Sequence, residues 1–127
     1  MKTKIGPSTI AGTGLFANQF ISKGTAVWKF QKDFDLELSK VQFESLSEAA
    51  RGQVLNYCYF SPKTEHYIVC SDDARFLNHS DNPNIDSGPD DDHIDVALCD
   101  IKPGEELTQN YKVFDGDWYK KLGTGNL

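Results

Sequence analysis

Apolar positions in this chain fall in short runs broken by glycine, proline and charge, not in long helical stripes. Ala26-Val27-Trp28-Lys29-Phe30, bounded by Lys23-Gly24, has the length and composition of a strand, and His66 to Cys70 and Ile94 to Cys99 read the same way. Gly12-Thr13-Gly14 sits between two further short extended segments. Ile101-Lys102-Pro103-Gly104-Glu105 places proline and glycine in series and predicts a turn. The stretch from about residue 36 to residue 60 departs from this rhythm. Ser39-Lys40-Val41-Gln42 and Ser45-Leu46-Ser47-Glu48 each set a hydroxyl three residues before Gln or Glu, the spacing of a capping box. After the second box, Ala50, Val54, Tyr57 and Cys58 recur at helical spacing. The pattern as a whole predicts a β-rich α+β domain with a short helical insert.

Length and composition narrow the classes. At 127 residues, without repeats or a dividing linker, residues 1–127 read as one domain with room for a real core. Hydrophobic content of 39% and charged content of 25% are those of an ordinary globular protein. The apolar runs are too short to span a bilayer, so no membrane role is expected. No basic, apolar leader opens the chain, so no secretory signal is expected. The formal net charge of −6 argues against direct binding of nucleic acid and suits a basic partner. Asp86, Asp90, Asp91, Asp92 and Asp95 crowd one segment, which reads as a solvated loop rather than a docking surface. The three cysteines, Cys58, Cys70 and Cys99, form neither a disulfide framework nor a zinc spacing. Cys70 and Cys99 each end an apolar run and read as small buried thiols, which fits a reducing, cytoplasmic setting.

Three polar blocks carry the candidate chemistry. In Gly12-Thr13-Gly14-Leu15-Phe16-Ala17 the glycines allow a tight turn and close approach of backbone to a ligand. In Arg75-Phe-Leu-Asn78-His79-Ser-Asp-Asn-Pro83-Asn84, the Asn78-His79 pair offers donors and acceptors that can read an adenine edge or hold amino and carboxylate groups. Arg75 suits a carboxylate fork or a structural ion pair, and Pro83 and Asn84 read as turn residues. In Gly104-Glu-Glu-Leu-Thr-Gln109-Asn110-Tyr111, adjacent Glu105 and Glu106 point to opposite faces and read as turn and surface positions. His66, His79 and His93 lack the His-x-x-x-His spacing of a zinc hydrolase, so no metal is expected.

In this order, from Gly12 to Tyr111, the blocks resemble the signatures of SET-domain protein-lysine methyltransferases. The resemblance implies a fold of small curved sheets with a helical insert and a C-terminal pseudoknot. It implies S-adenosylmethionine as cofactor, lined by Gly12, Thr13, Gly14, Arg75, Asn78, His79, Tyr111 and Trp118. Tyr111 would be the catalytic residue, with Gln109, Phe114 and Tyr119 in the substrate channel and the tail from about residue 112 to 127 closing it. The implied substrate is a lysine in a basic protein, chromatin-like or ribosomal, met by a monomer or homodimer. The expected location is the cytoplasm, or a host nucleus for a viral protein or secreted effector. The chain departs from the family pattern at Asn110, commonly aspartate, and at Gln109, often aromatic, which leaves the number of methyl groups open. The reaction it implies is methyl displacement by a neutral amine, with water able to carry off the proton. An amine of pKa about 10.4 costs on the order of 4 kcal/mol to deprotonate near neutrality. Two other readings compete: a non-catalytic SET-like module that binds cofactor or peptide, and a small acidic adaptor in which the blocks are only turns.

Overall fold

A computed structural model describes residues 1–87 and 94–116. Its strands are short and gather in four small sheets. β1 (Thr3–Pro7) and β2 (Thr13–Ala17) form an antiparallel hairpin with Thr3 opposite Ala17. β3 (Ala26–Lys29) pairs with β9 (Ile94–Ala97), which also pairs with β8 (Ile85–Ser87). β4 (Leu36–Leu38) and β5 (Cys58–Phe60) flank β6 (Tyr67–Val69). β7 (Asn78–His79) lies parallel to β10 (Thr108–Gln109), with Thr108 opposite Asn78 and Gln109 opposite His79. The small, several-sheet architecture agrees with the fold expected from the three blocks.

The helical insert divides into α1 (Lys40–Glu44) and α2 (Glu48–Tyr57), entered and left by β4 and β5. The capping box predicted at Ser39 is complete. Gln42 N–H donates to Ser39 Oγ at 3.1 Å, and Ser39 N–H donates to Gln42 Oε1 at 2.9 Å. The second box does not form at Ser45. Ser45 ends α1, where its hydroxyl donates to the Gln42 carbonyl at 2.6 Å, and Ser47 caps α2 by accepting from Ala50 N–H at 3.1 Å. Leu46 N–H is still bonded to Phe43 of the first helix, so the second cannot begin until two residues later. Neither helix buries a residue, and Cys58, placed by periodicity on α2, opens β5 instead. Cys58 and Cys70 are buried, but Cys99 is exposed because the chain bends outward after β9.

The core gathers Leu15, Ala17, Ile21, Leu77, Ile85, Ala97, Ile101 and Leu107. Each large aliphatic side chain there gains about 1.5–3 kcal/mol by leaving water. The segment from Ile101 to Leu107 is the keystone. Ile101 and Ile21 exchange backbone bonds of 2.8 and 2.9 Å, Gly104 N–H reaches the Ala17 carbonyl at 2.8 Å, and Leu107 N–H reaches the Leu15 carbonyl at 2.8 Å. The turn that opens this segment holds Gly104 at φ +91°, where a side chain would be strained.

Asn84, which reads as a turn residue in the sequence, staples this segment to β8. Its Nδ2 donates to the Glu106 carbonyl at 2.8 Å, and its Oδ1 accepts from Thr108 N–H at 2.8 Å. Asn84→Ala is therefore expected to cost about 1–3 kcal/mol, the range for orphaning part-buried backbone partners, read as a lower urea midpoint at unchanged slope.

Candidate active site

The second block is shaped from both ends. Asp35, buried beside β4, accepts from Ser71 N–H at 2.9 Å and from Gln31 N–H at 2.8 Å, which ties the approach to the block onto the neighbouring sheet. Asp72 then caps a 3-10 turn, Asp73–Phe76, by accepting from Ala74 N–H at 3.0 Å. Burial, and behind it the charges of Asp35 and Asp73, raise the Asp72 carboxyl above its ordinary value. The turn delivers Leu77 to the core and Asn78-His79 to β7.

Asn78 and Glu106 lock the blocks together. Asn78 Nδ2 lies 3.1 Å from the Ala11 carbonyl, 3.2 Å from the Thr13 carbonyl and 3.0 Å from Glu106 Oε2. Two N–H hydrogens are shared among three acceptors. Ser8 Oγ lies 2.8 and 2.9 Å from the two Glu106 carboxylate oxygens. A Cβ on Gly14 would stand 2.6 Å from Glu106 Oε2 and 3.0 Å from Ser8 Cβ, so glycine is needed there for the carboxylate to fit. Glu106 is therefore a part-buried organiser rather than a surface position, while Glu105 keeps its turn role by accepting from Lys102 N–H at 3.1 Å. Gly12, at φ +43°, turns the same loop with nothing within 4 Å of where a Cβ would stand.

Tyr111 opens a one-turn helix, α3 (Tyr111–Phe114), directly after β10. Asn110 caps it by accepting from Lys112 N–H at 3.1 Å. Asparagine caps as well as aspartate does, which accounts for the departure at this position. Tyr111 is held at two points. Its backbone N–H donates to His79 Nδ1 at 3.1 Å, and its phenol donates to the Leu77 carbonyl at 2.5 Å. Because Nδ1 accepts, the His79 proton sits on Nε2, which donates to Asp81 Oδ1 at 2.9 Å. Burial first, then the charges of Asp115 and Glu106, push the Tyr111 phenol up to about 12 from 10.0.

A cavity of about 80 Å³ adjoins Tyr111 and is also lined by Gln109, Tyr57, Tyr59, Asp95 and Arg75. Of the residues singled out by sequence, Gly12, Thr13, Gly14, Asn78, His79, Gln109 and Tyr111 come together around β7 and β10. Arg75 stands on the exposed side, with its guanidinium 5.7 Å from the Tyr57 ring and 5.0 Å from the Phe76 ring. Trp118, Tyr119 and His93 lie outside the described residues, and Phe114 is described only as part of α3. Sequence reasoning missed Ser8, Tyr57, Tyr59, Asp95 and the Glu106 carboxylate. Asp95 is buried at 6% exposure, unlike the solvated loop its acidic neighbours suggest, because β9 alternates and turns that position inward. His66 pairs with Glu37 at 2.7 Å, and among the described residues no group of three His, Cys, Asp or Glu could hold a metal.

With this fold and site in view, the chain belongs to the SET-domain family, whose sequence pattern matches residues 12–112. Among solved structures, a Plasmodium falciparum chain described as a candidate histone methyltransferase is similar in fold, with a TM-score of 0.60 and 20% identity over 87% of this chain and 92% of that one. Chaetomium thermophilum Polycomb Repressive Complex 2, autoinhibited and bound to S-adenosylmethionine, aligns at 26% identity and a TM-score of 0.64 over 98% of this chain. The same complex with H3K27me3 and H3K27M aligns at 27% identity and a TM-score of 0.63 over 87% of it. This chain spans 17% and 14% of those two Chaetomium chains. No curated protein matches it.

Two outcomes follow from the geometry. Gly14→Ala forces the Glu106 carboxylate aside and should cost about 1–3 kcal/mol. Most of that cost should vanish in a Glu106→Ala background, a coupling that urea titrations of the double-mutant cycle will read. The second outcome concerns pH. Since the folded phenol binds its proton more tightly than the unfolded one, its contribution is fully present below pH 10 and is lost as pH rises from 10 to about 12. That loss amounts to roughly 2–3 kcal/mol. Tyr111→Phe should show a flatter stability curve across that window, whatever its constant offset.

Proposed function

We infer that the chain is an S-adenosylmethionine-dependent protein-lysine N-methyltransferase acting on a basic protein. The observation that carries this reading is the double anchoring of Tyr111 on the wall of the cavity, phenol to the Leu77 carbonyl and backbone to His79. A reducing, cytoplasmic setting belongs to the same reading.

The residues present fit the cofactor. Leu77 O and Tyr111 Oη are two oxygens set beside the cavity, the acceptor chemistry that suits the C–H groups of a methyl on a positive sulfonium. The Gly12 loop is open where a ligand would approach backbone. Gly12, Thr13, Gly14, Asn78, His79 and Tyr111 would hold it, with Trp118 following in sequence. When bound, S-adenosylmethionine supplies an electrophilic methyl group.

The chain's own residues do the rest. Tyr111 stays a neutral phenol across the physiological range, so it cannot act as a base. Its hydrogen is committed to Leu77, which leaves oxygen lone pairs to accept from the incoming amine and fix its direction. Tyr57, Tyr59 and Gln109 line the cavity that would take the amine, and Gln109 is itself buried at 5% exposure. Positioning of this kind supplies at most ~7–11 kcal/mol of barrier lowering. The likeness to a complex solved with S-adenosylmethionine, and with H3K27me3 and H3K27M, supports both the cofactor and a basic peptide substrate.

The test is single-turnover transfer from labelled S-adenosylmethionine to a lysine-rich peptide pool. Wild type should label lysine. Tyr111→Phe should be slower by ~10²–10³-fold with cofactor affinity nearly unchanged. Cofactor binding without any transfer would favour the non-catalytic module instead.

A further inference from the structure

We propose that His79 positions Tyr111 only while its ring is neutral, so that a second proton on the imidazole releases the backbone anchor of Tyr111 and slows methyl transfer. The effect on turnover rests on the methyltransferase reading above. Tyr111 is the first residue of α3, and the start of a helix leaves its N–H without a partner inside the helix. His79 Nδ1 accepts from it at 3.1 Å. The parallel pairing of β7 with β10 makes the contact possible, since it sets His79 opposite Gln109, two residues before Tyr111. The bond needs a bare lone pair on Nδ1. A neutral ring protonated at Nε2 has one, and Nε2 lies 2.9 Å from Asp81 Oδ1, an acceptor that suits that proton.

A protonated imidazole carries N–H on both nitrogens. Nδ1–H and the Tyr111 N–H then face each other as two donors across one gap, and neither can accept. Tyr111 keeps its phenol bond to the Leu77 carbonyl but loses the hold at its backbone. One anchor in place of two no longer fixes the direction of the phenol, and direction is what Tyr111 supplies to the incoming amine.

The His79 side chain is 16% exposed, and its ring lies 5.4 Å from that of Tyr111 at a tilt of 59°. Among the described residues, the charged or titratable groups that face it are Asp81, two residues on, and Tyr111 and Lys112 of α3. Lys112 Nζ lies 3.9 Å from the same Asp81 oxygen. Thr108 and Gln109 of β10 carry no charge. Glu106 and Asp115, the carboxylates whose charges act on the Tyr111 phenol, are bonded elsewhere, Glu106 to Ser8 and Asn78 and Asp115 to the Phe60 N–H. Imidazole is the side chain that ordinarily gains its second proton between pH 5 and 8, so the contact behind Tyr111 is one that acid can open.

The first test needs no turnover. In ¹⁵N-labelled wild type at pH 8, long-range ¹H–¹⁵N spectra should place the His79 proton on Nε2, and a scalar coupling across the hydrogen bond should join His79 Nδ1 to the Tyr111 amide nitrogen. On acidification toward pH 5 that coupling should vanish with the midpoint of the His79 ring. A proton on Nδ1 at pH 8, a coupling that outlasts ring protonation, or a ring still neutral at pH 5 overturns the proposal. The second test is the pH profile of kcat/KM for a lysine peptide. Deprotonation of the amine alone raises it about tenfold per pH unit, and below the His79 midpoint wild type should fall by about a hundredfold per unit. His79→Asn sets an amide oxygen where Nδ1 stands and does not titrate, so its profile should keep the tenfold slope throughout, whatever its absolute level. A break that persists in the variant assigns the acid limb to another group and overturns the link to turnover. Should the variant fail to fold, the wild-type coupling decides. A coupling that behaves as expected in a protein that transfers no methyl group keeps the positioning of Tyr111 by His79 and rejects the methyltransferase reading.

Discussion

The carboxylate of Glu106 is the constraint on which the site depends. It only accepts hydrogen bonds, and the groups facing it, the Ser8 hydroxyl and the Asn78 amide, can both donate. Bonds to a charged acceptor are the stronger kind. Through them one side chain joins the N-terminal hairpin, the strand of the second block and the segment that leads to Tyr111. The position of Asn78 in turn fixes its neighbours. Leu77 and His79, on either side of it, supply the two acceptors that hold Tyr111. Gly14 belongs to this arrangement through the atom it lacks, since a methyl group there would occupy the space of the carboxylate.

Much of the fold was legible along the chain because its cues are local. The strands at Ala26–Lys29, Tyr67–Val69 and Ile94–Ala97 follow from apolar alternation between turn residues, and the Ser39 cap follows from spacing alone. Ser45 had the same spacing, but the end of the preceding helix had already claimed it. That competition lies outside any four-residue window. Cys99 and Asp95 show the same limit in opposite senses. An apolar run suggested burial for Cys99 and a crowd of acids suggested exposure for Asp95; the bend after β9 reversed the first and the alternation within β9 the second.

The motif residues were legible as a set, yet their division of labour was not. Asn78 binds the fold together with its side chain, Asn84 splints two backbone segments, and Glu106 turns inward while Glu105 stays in its turn. These roles require knowing which residues far apart in sequence stand side by side. The cavity is a further case, since Tyr57 and Tyr59 come from the helical insert and reach Tyr111 only through the tertiary fold. In the resulting site, burial keeps the Tyr111 phenol protonated.

The pairing of Ile21 with Ile101, and of β7 with β10, also sets the order in which this protein can come into being. Half of the core cluster is present in a nascent chain that ends before residue 78, but its partners on β8, on β9 and in the 101–107 segment are not. The N-terminal hairpin cannot bury its inner face until nearly all the described chain has left the ribosome. Contacts of such long sequence separation slow folding, because the loop must close before any of them is formed. Until its last strand arrives, the emerging polypeptide therefore keeps apolar strand surface uncovered.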